Sequence, residues 1–232
     1  MTALNAIPTN VITGFLGVGK TTALLHLLKT KPTNERWAIL VNEFGEVGID
    51  GGIFNGNETE EDGVFIREVP GGCMCCAAGL PMQIALNRLI SKAKPQRLLI
   101  EPTGLGHPKE VLAVLAAEHY QQVLDLRATI TLVDARKVHE ARYANHATFQ
   151  QQLAVADVIV ANKSDQYHPT DFPALLDYLE NTLKLGNQSV YQVSQGALKL
   201  DWLNATAKEF KSQGAKVVIT GRDVEKVKNA AI

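Results

Sequence analysis

A glycine-rich segment near the start of the chain constrains the fold more than any other feature. Residues 14–22 read GFLGVGKTT and match the pattern G-x-x-x-x-G-K-[ST]. Residues 10–13 before it, NVIT, are typical of a short strand, and residues 21–29 after it place leucines on one helix face. A strand, a glycine-rich loop and a helix in this order predict one unit of a parallel sheet.

The remaining chain repeats this alternation of strands and helices. Strands are predicted at 37–41, 97–100, 129–133, 158–161 and 189–193, and helices at 81–92, 110–118 and 172–183. This order predicts an α/β fold of three layers, with a mainly parallel sheet covered on both faces. The acidic residues 55–62 predict a solvated, mobile loop, with a metal-attracting loop as the alternative.

Length, charge and cysteine content narrow the class of protein. The 232 residues fit one large domain, or one domain with an appendage. With 23 basic and 24 acidic residues the net charge is −1, so we expect no nucleic acid partner. The chain has neither a membrane-spanning apolar run nor an N-terminal signal pattern. The three clustered cysteines favour a reducing compartment, so we expect a cytoplasmic protein without a membrane partner.

The glycine-rich segment has the chemistry of a phosphate cradle. Its glycines let backbone N–H groups converge, and the helix N-terminus adds positive potential. Lys20 can reach the β- and γ-phosphates, and the Thr21 hydroxyl can bind Mg²⁺. The predicted phosphate-binding residues are Gly14, Gly17, Val18, Gly19, Lys20, Thr21 and Thr22. The alternative is a glycine-rich turn without a ligand.

The segment N-K-S-D at 162–165 indicates which base is bound. The Asp165 carboxylate can accept hydrogen bonds from guanine N1–H and the exocyclic amine, a donor pair that adenine lacks. Lys163 can lie along the base, and Asn162 can tie this loop to the phosphate loop. Ser194, after the last predicted strand, can complete the base pocket through its backbone. GTP is therefore favoured over ATP, and a polar loop after a strand is the alternative.

An acidic residue and a glycine follow the strand at 97–100. Glu101 stands at the position that orients the Mg²⁺ shell, through a water molecule. Gly104 can present its N–H to the γ-phosphate and move when that phosphate leaves. A capped strand end without a ligand is the alternative for this segment.

Cys73, Cys75 and Cys76 form a C-x-C-C cluster. Thiolates suit Zn²⁺, Co²⁺ or Ni²⁺. In an extended segment Cys73 and Cys75 point one way and Cys76 the other, so a tetrahedral site needs a further ligand. A Glu or His side chain, a second chain or water could supply it, and His107 is the strongest candidate histidine. The alternative is that the three small side chains pack a turn.

Five segments together resemble the CobW-type GTPases, which belong with HypB and UreG in the SIMIBI class of P-loop metallochaperones. They are GFLGVGKTT, NEFGEVGID, GGCMCC, EPTGLGHP and NKSD, and the resemblance covers roughly residues 8–200. It implies a GTP-hydrolysing metallochaperone that delivers a divalent transition metal, Zn²⁺ before Co²⁺ or Ni²⁺, to an unidentified client protein. It also implies that residues 42–50 form switch I, where Glu43, Glu46 and Asp50 are acidic.

The resemblance leaves several assignments open. Lys20, Glu101 and Glu46 are the predicted catalytic residues, and a homodimer is compatible with the incomplete thiolate site. We expect a nucleotide-binding domain at 1–205 and a short extension at 206–232, in place of the family's C-terminal domain. The chain would then be a fragment or a naturally short member. The alternatives for function are a regulatory GTPase switch whose cysteines only pack, and a P-loop ATPase.

Overall fold

The computed structural model describes residues 6–42, 58–69, 74, 80–186 and 188–204. Within these ranges the strands are β1 Ile7–Gly14, β2 Trp37–Val41, β3 Glu58–Glu61, β4 Val64–Glu68, β5 Arg97–Glu101, β6 Leu124–Leu126, β7 Ile130–Val133, β8 Val158–Ala161 and β9 Ser189–Gln192. The α-helices are α1 Lys20–Lys29, α2 Leu80–Ala93, α3 Pro108–Leu115, α4 Ala141–Ala144, α5 Ala147–Ala154, α6 Asp171–Asp177 and α7 Leu200–Asn204.

One sheet carries all the strands of the described residues. Its order is β3-β4-β2-β5-β1-β7-β8-β9. The first half of β1 pairs with β6, and its second half pairs with β7. Every pairing is parallel except that of β3 with β4. The predicted, mainly parallel sheet is therefore confirmed, and the carboxyl ends of β1, β2, β5, β7 and β8 share one edge.

Two apolar cores lie on opposite faces of the sheet. Successive β1 residues show the division, since Val11 belongs to the core under α2 and α3 while Ile12 belongs to the core under α1, α5 and α6. Trp37, Leu40 and Leu98 are each no more than 1% exposed. Burial on both faces explains why these strands are continuous apolar runs, and it confirms the α/β sandwich.

The sequence prediction of a solvated, mobile loop at 55–62 is wrong for residues 58–61, and residues 55–57 lie outside the described residues. Glu58–Glu61 forms β3 and pairs antiparallel with β4. The turn between them is Asp62-Gly63, with φ values of 48° and 74°, which is the left-handed pair that a two-residue hairpin requires. The hairpin turn overrides the low strand propensity of the glutamates.

Other differences concern short or displaced elements. Sequence periodicity missed β4, β6, α4, α5 and α7, all of which have at most eight residues. The helix predicted at 110–118 is α3 at Pro108–Leu115, since Pro108 is tolerated in a first turn. The helix predicted at 172–183 begins as α6 and continues as a π-helical turn over Tyr178–Thr182. In the part of the chain that the structure describes, no helix is long and apolar enough to cross a membrane.

Candidate nucleotide site and thiol segment

The glycine-rich loop joins β1 to the N-terminus of α1, as its sequence predicts. Gly19 precedes the helix with φ +92°, and a Cβ atom there would lie 2.7 Å from Nδ2 of Asn162. That φ and that contact both favour glycine. The Gly19 carbonyl already accepts a helical hydrogen bond from Ala23 N–H at 3.0 Å. The loop therefore presents backbone N–H groups at a helix start, which is the geometry of an anion cradle.

Lys20, Thr21 and Glu101 meet at the adjacent carboxyl ends of β1 and β5. Burial lowers the pKa of Lys20, and the negative charge of Glu101 partly offsets this. Burial raises the pKa of Glu101 to about 7, against the Lys20 charge and a side-chain hydrogen bond from Thr21. Both shifts favour the neutral forms of these two side chains. A bound phosphate would favour charged Lys20, and a bound cation would favour charged Glu101.

Asn162 joins the predicted base-reading loop to the phosphate loop. Its side chain is 1% exposed, and its Nδ2 donates to the Val18 carbonyl at 2.9 Å. Its Oδ1 accepts from the Gly196 N–H at 3.0 Å. One amide therefore holds together three loops, those that follow β1, β8 and β9.

The rest of the N-K-S-D segment lies close to the phosphate loop. Lys163 adopts φ +63°, and its Nζ donates to the Gly17 carbonyl at 2.6 Å. Asp165 lies in a single 3₁₀ turn, Ser164–Gln166, and its side chain is exposed. Ser194 precedes Gln195, which also has a positive φ of 52°. Uncommon backbone conformations in two neighbouring loops are typical of a binding site.

Asp134, at the end of β7, is a site residue that sequence reasoning missed. It is 2% exposed, and its Oδ2 lies 2.7 Å from Arg136 Nη2 and 3.8 Å from Lys163 Nζ. Although burial opposes it, the hydrogen bonds and charge of Arg136 hold the pKa of Asp134 below its usual range. Tyr167 also supports this region, since its hydroxyl donates to the Asn162 carbonyl at 2.5 Å and accepts from Ala135 N–H at 3.0 Å. The available signal was an acidic residue directly after an apolar strand at the functional edge.

Gly104 lies against the phosphate loop from the β5 side. A Cβ at this position would lie 2.8 Å from Leu16 Cδ2 and 3.0 Å from the Leu16 nitrogen. Its carbonyl accepts a hydrogen bond from Gln152 Nε2 at 3.0 Å. The loop that the sequence predicts to sense the γ-phosphate therefore contacts the phosphate loop directly.

The thiol cluster is represented in the structure by Met74 alone. Cys73, Cys75 and Cys76 lie outside the described residues, as do Glu43, Glu46 and Asp50. The Met74 side chain is 1% exposed within the core under α2, and its N–H donates to Oδ1 of Asn42 at 3.0 Å. Within the described ranges, no three His, Cys, Asp or Glu side chains cluster in a way that could hold a metal ion. His107 is exposed at the start of α3, and its role as a ligand stays a prediction.

The residues present fit the groups that the sequence implies. The Thr21 hydroxyl and the Glu101 carboxylate, joined by a hydrogen bond, are the hard oxygen ligands that Mg²⁺ prefers. Above the loop, no described residue lies within 4 Å of the position of a Gly17 Cβ, so the described part of the cradle is open on that side. The arrangement suits a nucleotide whose phosphates lie at α1 and whose base lies at Asp165.

Comparison with known proteins identifies similar chains. A family model described as CobW/HypB/UreG, nucleotide-binding domain, matches residues 8–189. The zinc chaperone YeiR of Escherichia coli K12 is 56% identical over 167 residues, which cover 72% of this chain and 49% of YeiR. The zinc chaperone CobW of Pseudomonas aeruginosa is 32% identical over 192 residues, covering 72% of this chain and 51% of that protein. The chain thus spans about half the length of the curated relatives it matches.

Solved structures show the same fold. The Zn(II)-bound YjiA GTPase from E. coli aligns with a TM-score of 0.62 at 28% identity, covering 86% of this chain and 61% of YjiA. A LAO/AO transport system kinase aligns with a TM-score of 0.51 at 18% identity, covering 99% of this chain and 69% of the kinase. The second likeness concerns the fold alone.

Proposed function

The chain belongs to the CobW/HypB/UreG family, and on that basis we propose that it is a GTP-hydrolysing metallochaperone. In this proposal GTP binding changes the affinity for a divalent transition metal, and hydrolysis releases that metal to a client protein. The names of the relatives, zinc chaperones and a Zn(II)-bound GTPase, support zinc as the metal. We assign the activity to a nucleotide-binding domain at 1–205, followed by an extension at 206–232.

The observation that carries the GTP assignment is the clamp formed by Asn162. Its two hydrogen bonds, to Val18 and Gly196, hold the loop that bears Asp165 at a fixed position relative to the phosphate loop. A fixed spacing between these two loops lets one nucleotide place its phosphates in the cradle and its base at Asp165. The carboxylate of Asp165 then selects guanine through its two adjacent donors.

The remaining residues receive roles that follow from their positions. Lys20 neutralises charge on the β- and γ-phosphates, and the Gly104 N–H contacts the γ-phosphate. Thr21 and Glu101 would hold Mg²⁺, which offsets phosphate charge when bound. Glu46 is our candidate for positioning the attacking water, and its place in a switch segment is the sole support for that role. Backbone groups of Gly14, Gly17, Gly19 and Thr22 complete the cradle, and Ser194 completes the base pocket.

The thiolates of Cys73, Cys75 and Cys76 are the proposed metal ligands. A site with fewer than four thiolates from one chain exchanges its metal more readily than a closed structural site. A further ligand would come from Glu, His, water or a second copy of this chain. Such an incomplete site suits a protein that binds zinc as cargo.

The test of the guanine assignment is the substitution Asp165→Asn. The amide offers one acceptor and one donor, so two guanine donors lose their shared carboxylate, and we expect GTP affinity to fall about a hundredfold or more. Xanthine carries a carbonyl in place of the exocyclic amine, so the variant should gain affinity for xanthosine triphosphate. Binding of fluorescent analogues of GTP, xanthosine triphosphate and ATP measures both effects and the preference for GTP over ATP.

A matched control is Asp177→Asn, since Asp177 is also exposed and its carboxylate only accepts from Asn181. This control should leave the preference for GTP unchanged. Wild-type protein that binds ATP more tightly than GTP would refute the GTPase proposal. An Asp165→Asn variant that retains full GTP affinity would refute the role of Asp165.

A further inference from the structure

Asn42 connects the nucleotide site with the thiol segment, which is residues 69–76 and contains the three cysteines. It directly follows β2, and its side chain is 4% exposed. We propose that Asn42 is the positioning residue through which the nucleotide state changes the metal affinity of the thiol segment. The inference rests on the proposed function, because it names how the two sites communicate.

On the nucleotide side, Asn42 is bonded to the strand end that carries Glu101. Its backbone N–H donates to the Glu101 carbonyl at 3.2 Å, and this bond extends the pairing in which Val41 lies opposite Glu101. The Glu101 side chain in turn interacts with Lys20 and Thr21. A change of charge or ligand at the phosphates therefore acts on the residue whose carbonyl holds Asn42.

On the thiol side, the Asn42 side chain holds the middle of the C-x-C-C sequence. Its Oδ1 accepts the Met74 N–H at 3.0 Å, and this hydrogen bond is buried. Met74 is the residue between Cys73 and Cys75, so each of these cysteines is one peptide bond, about 3.8 Å between Cα atoms, from the held residue.

The start of the thiol segment is held at the same place. The Val69 N–H donates to the Val41 carbonyl at 3.0 Å, one residue before Asn42. The buried Met74 side chain provides a second anchor in the core under α2. The end of β2 thus forms two hydrogen bonds to the thiol segment, one at Val41 and one at Asn42. Asn42 also bonds to Glu101, so it connects with both sites.

A single residue in this position can link the two equilibria, through its backbone N–H on one side and its side chain on the other. A nucleotide state that strengthens the bonds of Asn42 favours one placement of Met74, the residue covalently bonded to both Cys73 and Cys75. Because linkage is reciprocal, zinc must then change GTP affinity by the same factor. The coupling factor, and not either affinity alone, is what Asn42 should control.

The experiment measures zinc affinity of the reduced full chain by competition with a chromophoric chelator, without nucleotide and with a non-hydrolysable GTP analogue and Mg²⁺. In wild type we expect the analogue to tighten zinc binding about fivefold or more. Asn42→Ala removes the acceptor of Met74 N–H, so the ratio should fall to within about twofold of unity. Asn42→Asp retains an acceptor of the same length and should keep most of the coupling.

Asp157→Ala separates positioning from general destabilisation. The Asp157 carboxylate accepts the Thr129 N–H at 2.9 Å, and Thr129 is 4% exposed, so this variant also removes the side-chain acceptor of a buried backbone N–H. It should lose stability as Asn42→Ala does and retain the wild-type coupling factor. Asp157 directly precedes β8, at the edge of the sheet opposite the nucleotide site.

The outcomes distinguish the inference from the function on which it rests. Coupling in wild type that persists in Asn42→Ala overturns the role of Asn42 and leaves the metallochaperone proposal standing. Loss of coupling in Asp157→Ala as well as Asn42→Ala also overturns the inference, since any destabilised variant would then behave alike. Wild-type zinc affinity that is equal in both nucleotide states overturns the inference and the proposed linkage together.

Discussion

The substitution Asn162→Ala tests whether one buried amide holds the nucleotide site together. It removes the Nδ2 donor to the Val18 carbonyl, at 2.9 Å, and the Oδ1 acceptor of the Gly196 N–H, at 3.0 Å. Asn162 is 1% exposed, so both hydrogen bonds are buried. Leaving two buried backbone groups unsatisfied costs about 2–4 kcal/mol of unfolding free energy. For a chain of this size that loss corresponds to a fall in melting temperature of about 5–15 °C.

Urea unfolding of the nucleotide-free protein measures the free energy, and binding of a fluorescent GTP analogue measures the effect on the site. Asn162→Asp is informative beside Asn162→Ala, because it keeps the acceptor for Gly196 and replaces the donor to Val18 by a carboxylate. We expect it to be at least as destabilising. Both variants should also bind GTP more weakly, since the base-reading loop is no longer fixed relative to the phosphates.

Asn181→Ala is the matched control. Asn181 is exposed, and its amide donates to Asp177 within one helical turn, so the loss should stay within about 0.5 kcal/mol. A loss of unfolding free energy below about 1 kcal/mol for Asn162→Ala would refute the reasoning, because two buried backbone groups left unsatisfied should cost more than that. Unchanged GTP affinity in a destabilised variant would refute the link between clamp and binding.

Two further predictions concern charge and backbone space. Folding raises the pKa of Glu101 to about 7, so the folded protein retains a proton that the unfolded chain loses near pH 4–5, and the contribution of Glu101 to stability declines as pH rises towards 7. Relative to Glu101→Gln, nucleotide-free wild type should therefore lose about 1–3 kcal/mol of unfolding free energy between pH 5 and 8, measured by urea unfolding; parallel curves for the two proteins would contradict the shift. Gly196→Ala places a Cβ 2.7 Å from the backbone of Ala23 at φ +69°, so it should cost about 1–3 kcal/mol and weaken GTP binding. Gly186→Ala meets nothing within 4 Å and should be neutral or slightly stabilising in the same assays, and equal costs for the two glycines would contradict the packing argument.

Sequence reasoning succeeded where one physical requirement dominates a segment. The phosphate loop was predictable because its glycines and lysine serve a single geometry. The strands β2, β5 and β8 were predictable because burial on both faces gives them continuous apolar runs. The tie between Asn162 and the phosphate loop was also predicted, from the place of Asn162 in the N-K-S-D segment. The structure adds the second half of that tie, at Gly196.

The failures share a different cause. Glu58–Glu61 forms a strand because the Asp62-Gly63 turn folds it back on β4, and no periodicity of its own residues could reveal that pairing. The importance of Asp134 depends on the approach of Lys163 from the loop after β8, which is a tertiary property. Asn42 belongs to the same class, since its bonds to Met74 and Glu101 join residues 32 and 59 positions away along the chain.

The central claim is that nucleotide state and metal affinity are linked in one chain. The most direct measurement is titration of the reduced protein with Zn²⁺ against a competing chelator, nucleotide-free, with GDP, and with a non-hydrolysable GTP analogue and Mg²⁺. Cys75→Ala serves as the variant that should bind zinc weakly in every state. The proposed function predicts tighter zinc binding with the GTP analogue than with GDP or without nucleotide, and equal affinity in all three states would contradict it.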